Sequence, residues 1–278
     1  VVYYISPQVW AWRSGRVNQM AECLDLLLTI LPFEPEWYKN HAPPKLRVEY
    51  VGHPVLEEIP DLPYSPQENR LVIMPGSRES EWKNLLGPLL EAAALLARAN
   101  PALEFVLPLA EPLRGRPFAQ SMLAADGPHA EAIRSLGKSL RISERPAHEE
   151  LRVAMAAWIA SGTATLEAAV VGTPMIVVYK VSAGTAFIFR HFVRYRGAVA
   201  IVNLIHGGLG SEERVVPEIL QTQVEPSQLA SAMREVMHGS VWERQRDQLA
   251  RTRDLLSGPG LPLDNAVAAI ERFLEQRR

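Results

Sequence analysis

Short continuous apolar runs alternate along the chain with stretches in which apolar residues recur at helical spacing, the pattern of buried strands joined by amphipathic helices. Residues 1–5, the latter half of 23–31, 48–51, 71–75, 104–109 and 140–143 read as strands. Between them Ser6 and Pro7 supply an N-cap and a first-turn proline for a helix over 8–16, and a shorter helix restarts after Pro32 and runs through Tyr38. The longest helical pattern covers 79–98, where Leu85, Leu86, Leu89, Leu90, Ala93, Leu96 and Ala97 keep one face apolar. Helices are also predicted over 117–125 and 147–156, and three closing ones over 226–238, 241–256 and 262–277. Repeated strand–helix units make a parallel sheet the default, hence an α/β fold. The stretch 59–70, with Pro60, Pro63 and Pro66 and little apolar periodicity, reads as a linker between two units.

The most informative stretch is 157–180, AWIASGTATLEAAVVGTPMIVVYK. An apolar strand breaks at Ser161-Gly162-Thr163, a short Ala-rich helix follows, Gly172-Thr173-Pro174 stops it, and a β-branched strand resumes at Met175. A helix that starts directly after a strand presents unpaired N–H groups and the positive end of its dipole at the sheet's C-terminal edge. Ser161, Thr163 and Thr165 are therefore expected to line an anion-binding mouth, with Glu167 one turn further on, placed to accept hydrogen bonds from sugar hydroxyls. Small residues here also suit close helix–sheet packing, and Thr165 and Glu167 also suit helix capping. A second junction of the same kind, Gly76-Ser77-Arg78 after the strand at 71–75, adds an arginine able to grip a diphosphate, or to pair with Glu79 or Glu81. Two such junctions in one sheet fit a Rossmann-like nucleotide site. The GxGxxG fingerprint and the P-loop are absent from the sequence, which disfavours NAD and ATP chemistry.

After Lys180, Phe187, Ile188, Phe192 and Tyr195 are interleaved with Arg190, His191, Arg194 and Arg196, a composition suited to an anionic membrane surface or to an ordinary solvated amphipathic helix. A strand is expected over 198–204 and a short helix from Arg214 through Gln221, with Glu218 and Gln221 on one face. Composition narrows the field further. The 278 residues are 47% hydrophobic and 22% charged with net charge −2, enough for a large core and poorly suited to bulk nucleic-acid binding. Cys23, the one cysteine, sits in an apolar run and reads as a core filler, and a chain with one cysteine forms no internal disulfide. No apolar stretch approaches the roughly 20 residues of a membrane-spanning helix. Trp10, Trp12 and His53 read first as packing or turn residues, one tryptophan remaining a candidate for ligand contact. The chain opens on Val1 inside a strand-like run, VVYYIS, which predicts a further N-terminal region.

Seven phrases, in this order, carry a resemblance to one family: SPQVWAW (6–12), LPFEPEWY (31–38), VGHP (51–54), PGSRESE (75–81), ASGTATLEAAVVGTPMIVVYKVS (160–182), VNLI (202–205) and VVPEILQ (215–221). Together they run across almost the whole chain, and the sequence resembles the lipid-A-disaccharide synthases, inverting glycosyltransferases of the GT-B fold. The resemblance implies two Rossmann-like domains, the N-terminal one incomplete: 1–57 the remainder of an acceptor domain, 58–70 the linker, 71–260 a UDP-sugar-binding domain and 261–278 a closing helix. It implies transfer of 2,3-diacylglucosamine from UDP to the 6-hydroxyl of 2,3-diacylglucosamine 1-phosphate, giving a β-1,6 disaccharide and UDP, with no metal and no cofactor. Arg78 would stabilise the leaving diphosphate, and the nucleotide-sugar site would comprise Gly76, Ser77, Arg78, Ser161, Gly162, Thr163, Thr165, Glu167, Asn203, Glu218 and Gln221. Cytoplasmic location at the inner face of the bacterial inner membrane, peripheral attachment and a homodimer option come with the family.

Two departures stand out. The family's N-terminal Gly-rich loop and the aspartate proposed as general base have no counterpart here, so the polypeptide beginning at Val1 is expected to be inactive. The segment between His206 and Glu213 is longer than the family's usual connection, which loosens the register of Asn203 against Glu218. The competing readings are a UDP-sugar epimerase or another UDP-N-acetylglucosamine-type transferase of the same fold, and a non-catalytic UDP-binding module.

Overall fold

The computed structural model describes residues 1–12, 14–181 and 198–277. The first unit opens with β1 (Val2–Tyr4), the short helix α1 (Val9–Trp12), α2 (Val17–Cys23), β2 (Leu26–Thr29), α3 (Glu34–His41), β3 (Arg47–Tyr50) and α4 (Val55–Glu58). Its three strands are parallel in the order β1-β2-β3. The helix predicted over 8–16 divides into α1 and a 3-10 turn at Ser14–Arg16 before α2 begins. Cys23 ends α2 with its side chain exposed, which corrects its expected place in the core.

Residues 59–69 carry no helix or strand, and the second unit follows with β4 (Arg70–Met74), α5 (Glu79–Ala99), β5 (Glu104–Pro108), α6 (Pro117–Leu123), α7 (Ala130–Leu136) and β6 (Leu140–Ser143). It continues with α8 (Ala147–Arg152), β7 (Ala156–Ala160), α9 (Ala164–Val171), β8 (Met175–Tyr179), α10 (Ile201–Gly207), β9 (Glu218–Leu220), α11 (Pro226–Val236), α12 (Gly239–Leu249), α13 (Thr252–Leu256) and α14 (Pro262–Glu275). The six strands are parallel in the order β6-β5-β4-β7-β8-β9. From β4 the chain winds outward to β5 and β6, then returns to lay β7 on the other side of β4. The C-terminal ends of β4 and β7 thus flank the topological switch point, where open α/β sheets form a crevice.

Period-two alternation explains why this sheet needs helices on both faces. Leu71, Ile73, Phe105, Leu107, Trp158 and Ile176 face α5 and α11, whereas Val72, Val106, Ala157, Ile159 and Val177 face the layer built from α8, α9 and α10. Each buried Val, Leu, Ile or Phe among them contributes about 1.5–3 kcal/mol by leaving water. The two units meet through a smaller apolar cluster in which Leu31, Val55 and Ile59 pack with Leu166, Val170, Ile205 and Leu256. The chain then crosses back: α14 lays Ala266, Ala269 and Phe273 on Leu26 and Leu28 of the first sheet and on Val51 just after β3. At the crossing Gly52 adopts φ +88°, and a side chain there would press on the Gly258 backbone at 3.2 Å.

Two sequence expectations fail in the second unit. The run at 198–204 is not a strand, because residues 201–207 form α10. The segment around Glu218 is not a helix: Glu218–Leu220 is the edge strand β9, paired with Val177–Tyr179, and Gln221–Gln223 is a 3-10 turn. Among the described residues no helix is long and apolar enough to cross a membrane. The basic-aromatic stretch 187–196 lies outside the described residues.

Candidate functional site

A cavity of about 670 Å³ opens at the switch point, walled by the turn after β4, the turn into α9, the loop after β5 and the start of α8. Gly76, Ser77, Arg78, Ser161, Gly162, Thr163 and Glu167, all expected from sequence, line it together. A smaller cavity of about 300 Å³ lies alongside, reaching the end of β8 at Tyr179 and Lys180, and Arg78, Glu81, Ala160 and Ser161 belong to the walls of both.

The turn after β4 is held by its own helix. Gly76 adopts φ +111°, a conformation that L side chains rarely take, and a Cβ there would collide with the Glu81 carboxylate. Glu81 Oε2 accepts the Ser77 and Arg78 backbone N–H groups at 2.8 and 3.1 Å, and Oε1 accepts Arg78 Nη1 at 3.0 Å. The next residue, the fully buried Trp82, donates its indole N–H to the Gly76 carbonyl at 2.9 Å. The core of the second unit thereby fixes where Arg78 leaves the backbone.

On the neighbouring strand the sequence turns from the apolar β7 to Ser161-Gly162-Thr163, and the chain enters α9 with Ala164 in the cavity wall. Thr165 does not reach the cavity: it is completely buried, and its hydroxyl donates to the Gly162 carbonyl at 2.7 Å, holding the turn from behind. Glu167 does reach it. Burial raises the Glu167 carboxyl above the usual carboxylate range, and the negative charge of Glu58 adds to the rise. Gly172, in the left-handed conformation, closes the helix where the sequence predicts a stop.

Asn203, Glu218 and Gln221 are not among the residues walling the cavity. Asn203 is buried, bridging the Val216 carbonyl and N–H, both at 3.0 Å, and donating to Glu218 Oε1 at 2.8 Å. Glu218 also accepts the backbone N–H groups of Val199 and Ala200 at 3.0–3.1 Å. The pair therefore fixes the entry to α10, whose first residue, Ile201, forms part of the wall. Gln221 accepts the Val181 N–H through its side chain at 3.4 Å, beside the smaller cavity.

Several wall residues escape a linear reading: Gln8 from the first unit, Leu109 to Glu111 and Arg114 after β5, and Pro146 to His148 at the start of α8. The one signal for the last two groups is their position at the C-terminal ends of β5 and β6. In the first unit Trp10 stands edge-on to Phe33, with ring centroids 5.1 Å apart, and donates to Glu34 at 3.2 Å. His53 accepts the Val55 N–H at 3.1 Å in the turn before α4, and burial pushes it down to about 4.

The family described as lipid-A-disaccharide synthetase matches residues 1–260. A lipid-A-disaccharide synthase of Sulfurihydrogenibium sp. (strain YO3AOP1) is 36% identical over 99% of this chain and 72% of its own length. The chain spans from 60% to 72% of the length of such curated relatives. Among solved structures, the spinosyn rhamnosyltransferase SpnG complexed with thymidine diphosphate superposes with TM-score 0.56 at 18% identity, covering 99% of this chain and 67% of that one. The S. aureus MnaA-UDP co-structure gives TM-score 0.59 at 14% identity, covering 92% and 61%. These two likenesses establish a shared GT-B-type fold.

Proposed function

Because the chain belongs to the lipid-A-disaccharide synthetase family, we propose that its switch-point cavity holds the UDP part of a UDP-diacylglucosamine donor during inverting glycosyl transfer. The acceptor is 2,3-diacylglucosamine 1-phosphate. Its 6-hydroxyl oxygen bonds to the donor's anomeric carbon as the bond from that carbon to the β-phosphate oxygen breaks. The hydroxyl proton goes to a base, the bonding pair departs with UDP, and the product is the β-1,6-linked disaccharide 1-phosphate. In this reading the enzyme works at the membrane surface where its acylated substrates reside.

The observation that carries the reading is the convergence of Arg78, the Ser161–Gly162–Thr163 turn and Glu167 on one cavity at the C-terminal edge of a parallel sheet. Charge develops on the leaving diphosphate as the glycosidic bond breaks. The start of a helix already in place, and a guanidinium drawn onto the phosphates when the donor binds, stabilise that charge as it develops. Arg78, exposed over 78% of its side chain, has the freedom to close on the phosphates. Glu167, one turn into α9, accepts the ribose hydroxyls in its ionised form. The wall of Leu109, Ala110, Pro146 and Ala147 offers a mostly apolar surface for the base.

Calorimetric titration of the full-length protein with UDP and with 2′-deoxy-UDP tests the assignment. Glu167→Gln is expected to weaken UDP about tenfold and to narrow the preference for the ribose form, the loss of a hydrogen bond to a charged acceptor. UDP affinity should also fall as pH drops through the raised Glu167 titration, since a protonated carboxyl offers fewer acceptor sites. Undiminished UDP binding by the Gln variant, or none by the unaltered protein, would remove the basis for the assignment. Release of UDP from the acylated donor only when acceptor is present then tests the transfer itself.

A further inference from the structure

The geometry points to Glu81 as a positioning residue that competes with the donor diphosphate for Arg78. This rests on the nucleotide-sugar reading of the cavity. Three donors surround the Glu81 carboxylate: the Ser77 and Arg78 N–H groups on Oε2 and the Arg78 guanidinium on Oε1. Left-handed Gly76 keeps the space for it clear, since any side chain there would strike the carboxylate. Converging backbone N–H groups beside a guanidinium are how proteins seat a phosphate oxygen. Here the protein's own carboxylate occupies that seat, within the walls of both cavities.

The two partners differ in what they can give up. Glu81 is 23% exposed and also caps the backbone, so its departure would unmake the turn, whereas Arg78 is 78% exposed and contributes one guanidinium contact. When the diphosphate arrives, Arg78 is the group that moves, exchanging a carboxylate for a phosphate while Glu81 stays on the two N–H groups. Glu81 then remains close to the bound diphosphate as a like charge. It lowers affinity for the donor and for UDP, and on product release it takes Arg78 back.

Glu81→Gln separates these roles. The amide oxygen can still accept the Ser77 and Arg78 N–H groups, while the amide nitrogen cannot pair with a guanidinium. With the exposed ion pair and the like-charge repulsion both removed, UDP should bind about threefold to tenfold more tightly to the full-length protein, and KM for the donor should fall. In an Arg78→Ala background the part of that gain that comes from freeing the arginine should vanish and only the relief of like-charge repulsion should remain, a coupling that loss of a cap alone would not produce. If the unaltered protein binds UDP and Glu81→Gln binds it equally or more weakly, the competition is refuted while the nucleotide assignment survives. If the unaltered protein does not bind UDP, both fall. Should the variant not fold, a crystal structure of the unaltered protein with UDP decides the matter. Arg78 Nη1 is expected on the diphosphate, and an intact Arg78–Glu81 pair beside bound UDP would overturn the inference.

Discussion

Glu34, at the first position of α3, makes a pH-dependent contribution to stability whose sign and size follow from its surroundings. Its side chain is fully buried, Oε2 accepts the Ile30 and Leu31 N–H groups at 3.2 and 3.0 Å, and Oε1 accepts Trp10 Nε1 at 3.2 Å. Those bonds favour the carboxylate, but removal from water outweighs them and pushes the group up from 4.5 to about 7. An acid whose folded pKa lies above its unfolded one stabilises the fold fully below the unfolded value, and that contribution is lost as pH rises through the folded value. A displacement of this size corresponds to about 3 kcal/mol, lost between roughly pH 4.5 and pH 7. Burial pushes Tyr38 up to about 12 and raises Tyr50 as well, outside the window, while His53, pushed down from 6.5 to about 4, acts within it with the opposite sign and cancels in a comparison of wild type with Glu34→Gln. Urea unfolding of the wild type and of Glu34→Gln across that range is the assay. The amide begins with a deficit, because its nitrogen faces the Trp10 N–H, yet it does not titrate. The wild type should therefore lose about 3 kcal/mol relative to the variant as pH rises to about 8. Parallel stability curves for the two proteins would refute the reasoning.

Two further changes probe the second unit. Asn203→Ala leaves the Val216 carbonyl and N–H without their side-chain partner and the half-buried Glu218 short of a donor, so thermal or urea unfolding should show a loss of about 3 kcal/mol. Gly172→Ala has free space around its Cβ, with Tyr64 nearest at 3.9 Å, and should cost only the 1–2 kcal/mol or so of a left-handed L residue. Gly76→Ala should cost more than Gly172→Ala in the same measurement, because its Cβ also displaces Glu81.

What the sequence reveals of the fold is what neighbouring residues decide among themselves. The β4–α5 and β7–α9 junctions are written in consecutive residues, with apolar runs, glycines and a helix pattern in register, and both stand where expected. The β-branched run at 198–204 misleads because its fate depends on a distant carboxylate. Glu218 takes up the N–H groups of Val199 and Ala200, and the chain turns into α10 where propensity favours a strand. Glu218–Leu220 misleads in the opposite way: three residues carry too little periodicity to declare a strand, and β8 alone makes them one. Strand order lies further still from the local pattern. The loops after β5 and β6 reach the cavity because β4 sits between β5 and β7, which no single segment encodes.

The same division separates the candidate site residues. Gly76, Ser77, Arg78, Ser161, Gly162 and Thr163 belong to turns at the strand ends, so a correct strand boundary places them in the cavity, and Glu167 follows one turn later. Asn203 and Glu218 are expected at the site on the same resemblance, yet their polar atoms are spent on each other and on the backbone at 199, 200 and 216. A sequence match registers that a residue type is required and is silent on whether the requirement comes from a ligand or from the wall that faces it. Burial decides between them. A side chain held at 1% exposure with its donors and acceptor engaged, as Asn203 is, acts on the site by keeping Ile201 and the start of α10 in place. Glu81 stands between these cases, engaged with the backbone like Asn203 but open to the cavity, and its one exchangeable partner is Arg78, the arginine proposed to meet the leaving diphosphate.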